Sequence, residues 1–144
     1  MITQKKKKSK FNINLIITNN SKAKGIHHAA RYMIKKKIIN YSSIKSAEKN
    51  ILLELHKNKI NLICLAGFMK ILSKNFIKKF KGKIINIHPS LLPKYKGLNT
   101  HQRALDNQEQ YSGCTVHYVN SKLDSGKIIL QKKVKIFKTD TCNK

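Results

Sequence analysis

The amino-acid sequence predicts an α/β fold in which a mostly parallel sheet is flanked by helices. Short apolar segments alternate with segments of helical spacing along much of the chain, which is typical of parallel strands joined by helices. The last two apolar segments are separated only by a short loop, so an antiparallel pair is expected toward the C-terminus. Polar and rigid residues follow two of the strands, where ligands bind in such sheets.

The first part of the chain is predicted to contain a strand and two helices. "FNINLIIT" (residues 11–18) is rich in Ile and Leu and favours a buried strand. Two helical segments, residues 22–37 and 46–59, follow it. The apolar face of the first helix would comprise Ile26, Ala29, Ala30 and Met33, and that of the second Ala47, Ile51, Leu52 and Leu55.

The second part of the chain is predicted to be richer in strands. Apolar residues 60–68 and "KIINI" (83–87) favour two strands, with a short helix between them that Ser73 would cap. Thr100 is expected to cap a further helix. Two last strands are predicted in "GCTVHYV" and "KIILQKKVKIF", joined by "NSKLDSG".

Length and composition favour one domain. With 144 residues, we expect a basic segment at 1–10, either disordered or the remnant of a helix, and a single α/β domain at 11–144. No apolar run approaches the roughly 20 residues of a membrane span, and the N-terminus lacks the pattern of a signal peptide. A cytoplasmic protein without membrane contact is therefore expected. Three cysteines without metal-ligand spacing support neither disulfides nor a metal site.

The net charge of +25 raises a different hypothesis, a basic module that binds nucleic acid. Only Arg31 and Arg103 are arginines, although arginine is the favoured residue for bidentate contacts to phosphates and bases. The lysines are spread along the chain, so a solvated lysine surface is the simpler interpretation. Nucleic-acid binding is kept as the alternative from another class of function.

"NIHPSLLPKYKGLNTHQRAL" (86–105) carries the chemistry that the sequence suggests. Asn86 and His88 are two apart at a strand end, so their side chains point to the same side. An imidazole can transfer a proton near neutral pH, and an amide can donate to an oxygen that gains negative charge. Pro89 and Pro93 restrict the backbone that follows.

Other segments offer weaker candidates. Asp124, one of six acidic residues, could orient His88, although "LDSG" alone is a good turn. His117 on the penultimate strand is expected to be a structural histidine first and a pocket residue second. "GFMKIL" could be ordinary core or could clamp a flat, apolar-faced ligand at a strand end.

These segments resemble a known family. "LAGFMKIL", "NIHPSLLPKYKGLNTHQRAL", "GCTVHYV" and "LDSGKIILQKKV", in this order, are similar to phosphoribosylglycinamide formyltransferases of the formyl-folate transferase superfamily. The resemblance implies a Rossmann-like fold and transfer of a formyl group from 10-formyltetrahydrofolate, as co-substrate and without metal, to glycinamide ribonucleotide in purine biosynthesis. A formyltetrahydrofolate hydrolase, or another formyltransferase, is the alternative within the superfamily.

The resemblance also implies roles for individual residues. Asn86 would bind the formyl oxygen as the tetrahedral intermediate forms, His88 would be the general acid, and Asp124 would hold His88. The folate site would comprise Asn86 with Met69, Lys70, Ile71 and Leu72, and the loop of Asn120, Ser121, Lys122, Leu123 and Asp124. Lys70 stands where arginine is common in the family, so contacts that need a planar fork would be lost.

Both ends of the chain depart from the family pattern. The first strand and phosphate loop, and a C-terminal helical segment, have no counterpart in this sequence. We therefore expect a catalytic centre and folate loops with poor binding of glycinamide ribonucleotide; a non-functional remnant is the limiting case. Whether the protein is a monomer or a homodimer is left open.

Overall fold

A computed structural model describes residues 11–142 of the chain. Strands and helices alternate through most of the chain, as the sequence predicts. The elements are β1 (Leu15–Thr18), α1 (Lys24–Arg31), β2 (Lys35–Ile38), α2 (Ile44–Lys57), β3 (Leu62–Leu65), α3 (Lys74–Lys79), β4 (Lys83–His88), α4 (Thr100–Asp106), β5 (Tyr111–Tyr118) and β6 (Ile128–Lys135). The basic segment predicted at 1–10 lies outside the described residues.

The strands form two sheets. β1 and β2 pair in parallel, while the second sheet has the order β3-β4-β5-β6. In the second sheet β3 and β4 are parallel, and β5 and β6 continue it as antiparallel strands. The predicted α/β class, with an antiparallel pair toward the C-terminus, is confirmed.

Within residues 11–142 the chain forms two compact units, which divide between Ile60 and Asn61. The single domain proposed for residues 11–144 stays a prediction. No helix within residues 11–142 is long and apolar enough to cross a membrane.

The predicted apolar face of α2 in the first unit is largely confirmed. Ala47, Ile51 and Leu55 are buried, and Ser43 Oγ caps the helix by accepting from Ser46 N–H. The prediction of one helix over residues 22–37 is wrong in its second half, because α1 stops at Arg31 and Lys35–Ile38 form β2. Of the predicted apolar face Ala29 is buried, whereas Ala30 is exposed and Met33 is 94% exposed. β1 is half-buried and begins only at Leu15.

Met33 is exposed because it reverses the chain after α1. Its φ is 53°, its N–H donates to Ala30, and Ile34 N–H donates to Ala29, which together form a Schellman motif. The same pair of bonds closes α2 at Lys59 and α4 at Gln108, again with positive φ. Three helices thus end on a left-handed residue that is not glycine, and each such residue carries steric strain.

In the second unit, α3 and β4 contribute much of the buried core. Phe76, Phe80 and Ile84 are buried, and Ser73 caps α3 by accepting from Phe76 N–H at 3.0 Å, as predicted. The prediction that Thr100 caps α4 is wrong. Asn99 occupies the cap position in a left-handed conformation, and Thr100 is the buried first residue of the helix.

Lys59→Gly and Lys57→Gly should change stability in opposite directions. At Lys59, glycine relieves a strained φ of 51°, so the free energy of unfolding should rise by up to about 1 kcal/mol. At Lys57, inside the last turn of α2, the same exchange should lower it by about 1 kcal/mol. Urea unfolding of both variants measures the difference; equal shifts in both would contradict this account of the helix end.

Candidate active site

The parallel pairing of β3 and β4 brings the carboxyl ends of two strands together. Leu65, the last residue of β3, is opposite Asn86, and His88 ends β4. The segment after β3 and the loop after β4 therefore leave the sheet from the same edge. This is the edge at which ligands bind in parallel sheets.

His88 is 5% exposed and uses both ring nitrogens within the protein. Its Nε2 is 2.8 Å from the carbonyl oxygen of Tyr95, and its Nδ1 is 3.4 Å from Asp124 Oδ2. A carbonyl oxygen can only accept a hydrogen bond, so Nε2 carries a proton. The ring is thereby fixed between the loop after β4 and the loop between β5 and β6.

Asp124 is the anchor of the second loop. Its Oδ2 accepts from Gly97 N–H at 2.9 Å, and its side chain is only 10% exposed. Its φ of 41° is uncommon for a residue other than glycine, although aspartate tolerates it better than most. Gly126 follows in close contact with the backbone of Tyr118, and a side chain there would collide with it.

His117 completes the cluster and was not among the predicted site residues. It is opposite Asn86 on β5 and 2% exposed. Its Nε2 lies 3.4 Å from Asn86 Nδ2 and 3.6 Å from Asp124 Oδ1, while Nδ1 lies 2.9 Å from the carbonyl of Tyr118. Both roles considered for it, structural histidine and pocket residue, are compatible with this position.

The contacts of His117 define how Asn86 is held. Nδ1 donates to the Tyr118 carbonyl, and the Asn86 amide nitrogen can only donate, so Nε2 accepts from it. The same Nε2 lies 3.6 Å from Asp124 Oδ1. One N–H of the Asn86 amide is thus bound, which leaves the second N–H for another acceptor.

The loop after β4 is supported from beneath by Thr115. The Thr115 hydroxyl donates to the Ser90 carbonyl at 2.6 Å and accepts from Leu92 N–H at 3.1 Å. Gln131 Nε2 donates to Thr115 Oγ1 and to the Leu92 carbonyl, at 2.8 Å in each case. The Leu92–Pro93 peptide bond in this loop is cis. Side chains from β5 and β6 therefore fix the loop that carries Tyr95.

Tyr95 is also fixed by its phenol. Glu109 Oε1 accepts from Lys94 Nζ at 2.6 Å and from the Tyr95 hydroxyl at 2.8 Å. The hydrogen bonds from Lys94 and then Tyr95 lower the pKa of Glu109. The same carboxylate raises the pKa of Lys94 and of the Tyr95 phenol, because in each case it binds the proton.

The residues predicted to bind folate differ in their exposure. Met69 and Ile71 are 72% and 65% exposed, Lys70 is exposed, and Leu72 is buried, so its side chain belongs to the core. Asn120 Oδ1 accepts from Lys122 N–H to form a turn, and Ser121 and Lys122 are exposed. Leu123 faces Gly97, with Cδ2 3.5 Å from where a side chain would begin. Within residues 11–142 no group of three His, Cys, Asp or Glu side chains is placed to hold a metal ion.

Comparison with known proteins identifies the family. The sequence pattern of the formyl transferase family matches residues 1–144. The chain belongs to the formyl transferase family. Among formyl transferases, it is 44% identical over 132 residues to the phosphoribosylglycinamide formyltransferase of Haemophilus influenzae. It is 42% identical over 136 residues to the trifunctional purine biosynthetic protein adenosine-3 of Homo sapiens.

Solved formyl transferase structures confirm the fold. The phosphoribosylglycinamide formyltransferase of Bacillus halodurans superposes with a TM-score of 0.85 at 32% identity, over 90% of this chain and 69% of that one. The alignment with the Haemophilus enzyme covers 90% of this chain and 62% of that enzyme, and that with the human protein 92% and 14%. The chain thus spans under two thirds of these curated relatives, and the resemblance found in the sequence is confirmed.

Replacing the buried imidazole in His117→Phe should destabilise the protein. The change leaves the Tyr118 carbonyl and one Asn86 N–H without partners, which should lower the free energy of unfolding by about 2 kcal/mol. His101→Phe on the exposed side of α4 is the matched control and should change it by less than about 0.5 kcal/mol. Urea unfolding compares them, and equal effects would mean that the His117 contacts contribute nothing.

The Tyr95–Glu109 contact should depend on pH at both ends. Because the pKa of Glu109 is lowered in the folded protein, its contribution to the free energy of unfolding is fully present above the ordinary carboxylate pKa of about 4.3. This contribution is lost as pH falls through the pKa of the folded protein. Because the pKa of Tyr95 is raised in the folded protein, its contribution to the free energy of unfolding is fully present below the ordinary phenol pKa of about 10. This contribution is lost as pH rises through the pKa of the folded protein.

Glu109→Gln tests this contact through the ring-proton NMR resonances of Tyr95. Without the carboxylate, the Tyr95 phenol should titrate at lower pH than in the wild-type protein. Asp106→Asn, the same exchange at a carboxylate that binds Gln102 instead, should leave the Tyr95 titration unchanged. Identical titrations in the Glu109→Gln and wild-type proteins would contradict the assignment.

Proposed function

We propose that this chain transfers a formyl group from 10-formyltetrahydrofolate to the amine of glycinamide ribonucleotide. The observation that carries the proposal is the convergence of Asn86, His88 and Asp124, which come from a strand end and a distant loop. Relatives bearing the name phosphoribosylglycinamide formyltransferase support the choice of reaction within the family. The co-substrate supplies the formyl group, and the chain supplies binding, orientation and proton transfer.

Asn86 is suited to bind the formyl oxygen. One N–H of its amide is bound by His117 Nε2, which fixes the direction of the other. A fixed donor aimed at an oxygen that gains negative charge stabilises the transition state more than a mobile donor does, because no reorganisation is needed. His117 therefore acts in this proposal by positioning Asn86.

His88 is suited to give or receive the proton of the same step. Its Nε2 carries a proton that donates to the Tyr95 carbonyl. In the proposed step this hydrogen bond breaks as the proton passes from Nε2 to the reacting group. Asp124 lies on the opposite side of the ring and fits a ring protonated at both nitrogens. Asp124 thus keeps the imidazole oriented while its other nitrogen reacts.

Exposed apolar side chains fit the flat ring system of a folate. Met69 and Ile71 follow β3 at the edge where Asn86 lies, and Leu98 and Leu123 are exposed on the two loops that Asp124 joins. Apolar walls with a few convergent polar groups are typical of sites for such ligands. These residues would hold the co-substrate, with Leu72 contributing only backbone groups.

Activity of substituted proteins tests the proposal. His88→Ala should lower kcat for formyl transfer at least about 100-fold by removing the proton carrier, and Asn86→Ala about 100-fold by removing the oxyanion donor. His101→Ala and Asn75→Ala, on the exposed surfaces of α4 and α3, are matched controls and should retain activity. Equal activity in Asn86→Ala and Asn75→Ala would refute the assigned role.

The same assay separates the alternatives. Formate released in the absence of the amine would identify a hydrolase instead of a transferase. Activity with a Michaelis constant for glycinamide ribonucleotide in the ordinary enzyme range, about 1 µM to 1 mM, would contradict the sequence-based expectation of poor substrate binding. Binding of formyl-folate, measured by calorimetry, tests the folate site independently of turnover.

A further inference from the structure

Arg103 holds the peptide group that binds Asp124. It lies in α4, and its Nη1 donates to the carbonyl oxygen of Lys96 at 2.8 Å and, more weakly, to that of Leu98 at 3.5 Å. The Lys96 carbonyl and the Gly97 N–H belong to one planar peptide unit. That N–H is the donor to Asp124 Oδ2 at 2.9 Å. One rigid plane is thus held at one end by a guanidinium and at the other by a carboxylate.

Binding at the carbonyl end strengthens binding at the amide end. The positively charged guanidinium beside the carbonyl oxygen polarises the peptide unit. Its N–H thereby becomes a better hydrogen-bond donor, as in other hydrogen-bond chains. The φ of Gly97 is 80°, and Tyr95 and Asn99 also have positive φ. Because positive φ is strained at Tyr95 and Asn99, this segment would move to a less strained backbone conformation if its carbonyls were not held by hydrogen bonds. Arg103 is therefore placed to resist that relaxation.

Arg103 also contacts the residue that binds His88. Its guanidinium lies over the Tyr95 ring, 5.1 Å from the ring centre, and the Tyr95 carbonyl accepts the His88 Nε2 proton. A single side chain thus reaches the partner of His88 and the partner of Asp124. Neither reacting group is touched by Arg103 itself.

The chemistry at this position requires arginine. Among 31 lysines and arginines only two are arginines, and Arg103 is the one beside the site. A flat guanidinium can lie on a ring while its N–H groups donate in its own plane to a carbonyl, which an ammonium group cannot do. We propose that Arg103 is a positioning residue that sets the distance between His88 and Asp124.

Arg103→Lys tests the inference in the full chain, with Arg31→Lys as the matched control. Arg31 also lies over a tyrosine, Tyr32, at 5.8 Å, but belongs to the first unit. In Arg103→Lys, hydrogen exchange of the Gly97 amide should accelerate about tenfold, the effect of losing a charge-assisted hydrogen bond. Exchange of the β4 amides should change less than about twofold, as expected for a site-local effect. Arg31→Lys should leave Gly97 exchange unchanged.

The expected effect of Arg103 on kcat rests on the proposed function. The positioning role and the proposed function can nevertheless be refuted independently. In an active protein, Arg103→Lys should lower kcat about tenfold with little change in the Michaelis constant for formyl-folate. Unchanged Gly97 exchange, equal acceleration of all amides, or faster Gly97 exchange with unchanged kcat would each overturn the inference. If the wild-type chain transfers no formyl group, the proposed function fails, while the exchange of Gly97 still decides whether Arg103 positions the loop.

Discussion

The hydrogen bond from Gly97 N–H to Asp124 is the contact on which the site depends. Asn86 and His88 come from the end of β4, whereas Asp124 comes from the loop between β5 and β6. Side-chain contacts join these two loops: this bond, the His88 ring beside Asp124, and a hydrogen bond from Lys96 Nζ to Ser125 Oγ at 2.7 Å. Asp124 accepts a strained φ to make it. Such strain persists where the surrounding structure fixes it, and it is common at functional sites.

The scarce acidic residues are used as internal anchors. The chain has a formal net charge of +25 and only six aspartates and glutamates. Asp124 binds the Gly97 peptide, Glu109 binds Lys94 and Tyr95, and Glu54 lies 3.4 Å from Lys37. Mutual repulsion among lysines disfavours a compact state. Each of these carboxylates instead joins segments that are distant in sequence, so the negative charges contribute at specific junctions.

The sequence was sufficient wherever a local rule decides the structure. Apolar runs located every strand of residues 11–142 except β2, which lies in a segment predicted as helix. Ser73 was recognisable as a cap, and the spacing of Asn86 and His88 predicted both side chains on one side of β4. Met33 was misplaced because the helix ends in a left-handed residue that is not glycine, a stop without a sequence signal.

The parts of the site that escaped prediction depend on contacts between distant segments. His117 faces Asn86 only through the register of β4 and β5, which a single sequence does not specify. The partners of His88 and Asp124 include the Tyr95 carbonyl and the Gly97 N–H, and any residue type has such backbone groups. Residue types therefore indicated the candidate reactive side chains but not the groups that hold them. The role proposed for Arg103 has no signal in the sequence either, because its hydrogen-bond acceptors are backbone carbonyls.

The Thr115 hydroxyl has a consequence for how the molecule comes apart. It bonds the Ser90 and Leu92 backbone on one side and Gln131 of β6 on the other. The outermost strand of the sheet and the loop that binds the histidine proton thus share one buried atom. Detaching β6 would remove the Gln131 donor from that atom and from the Leu92 carbonyl, so fraying of the sheet edge and loosening of the loop are coupled. The outer edge of the sheet is therefore a mechanical support of the candidate active site.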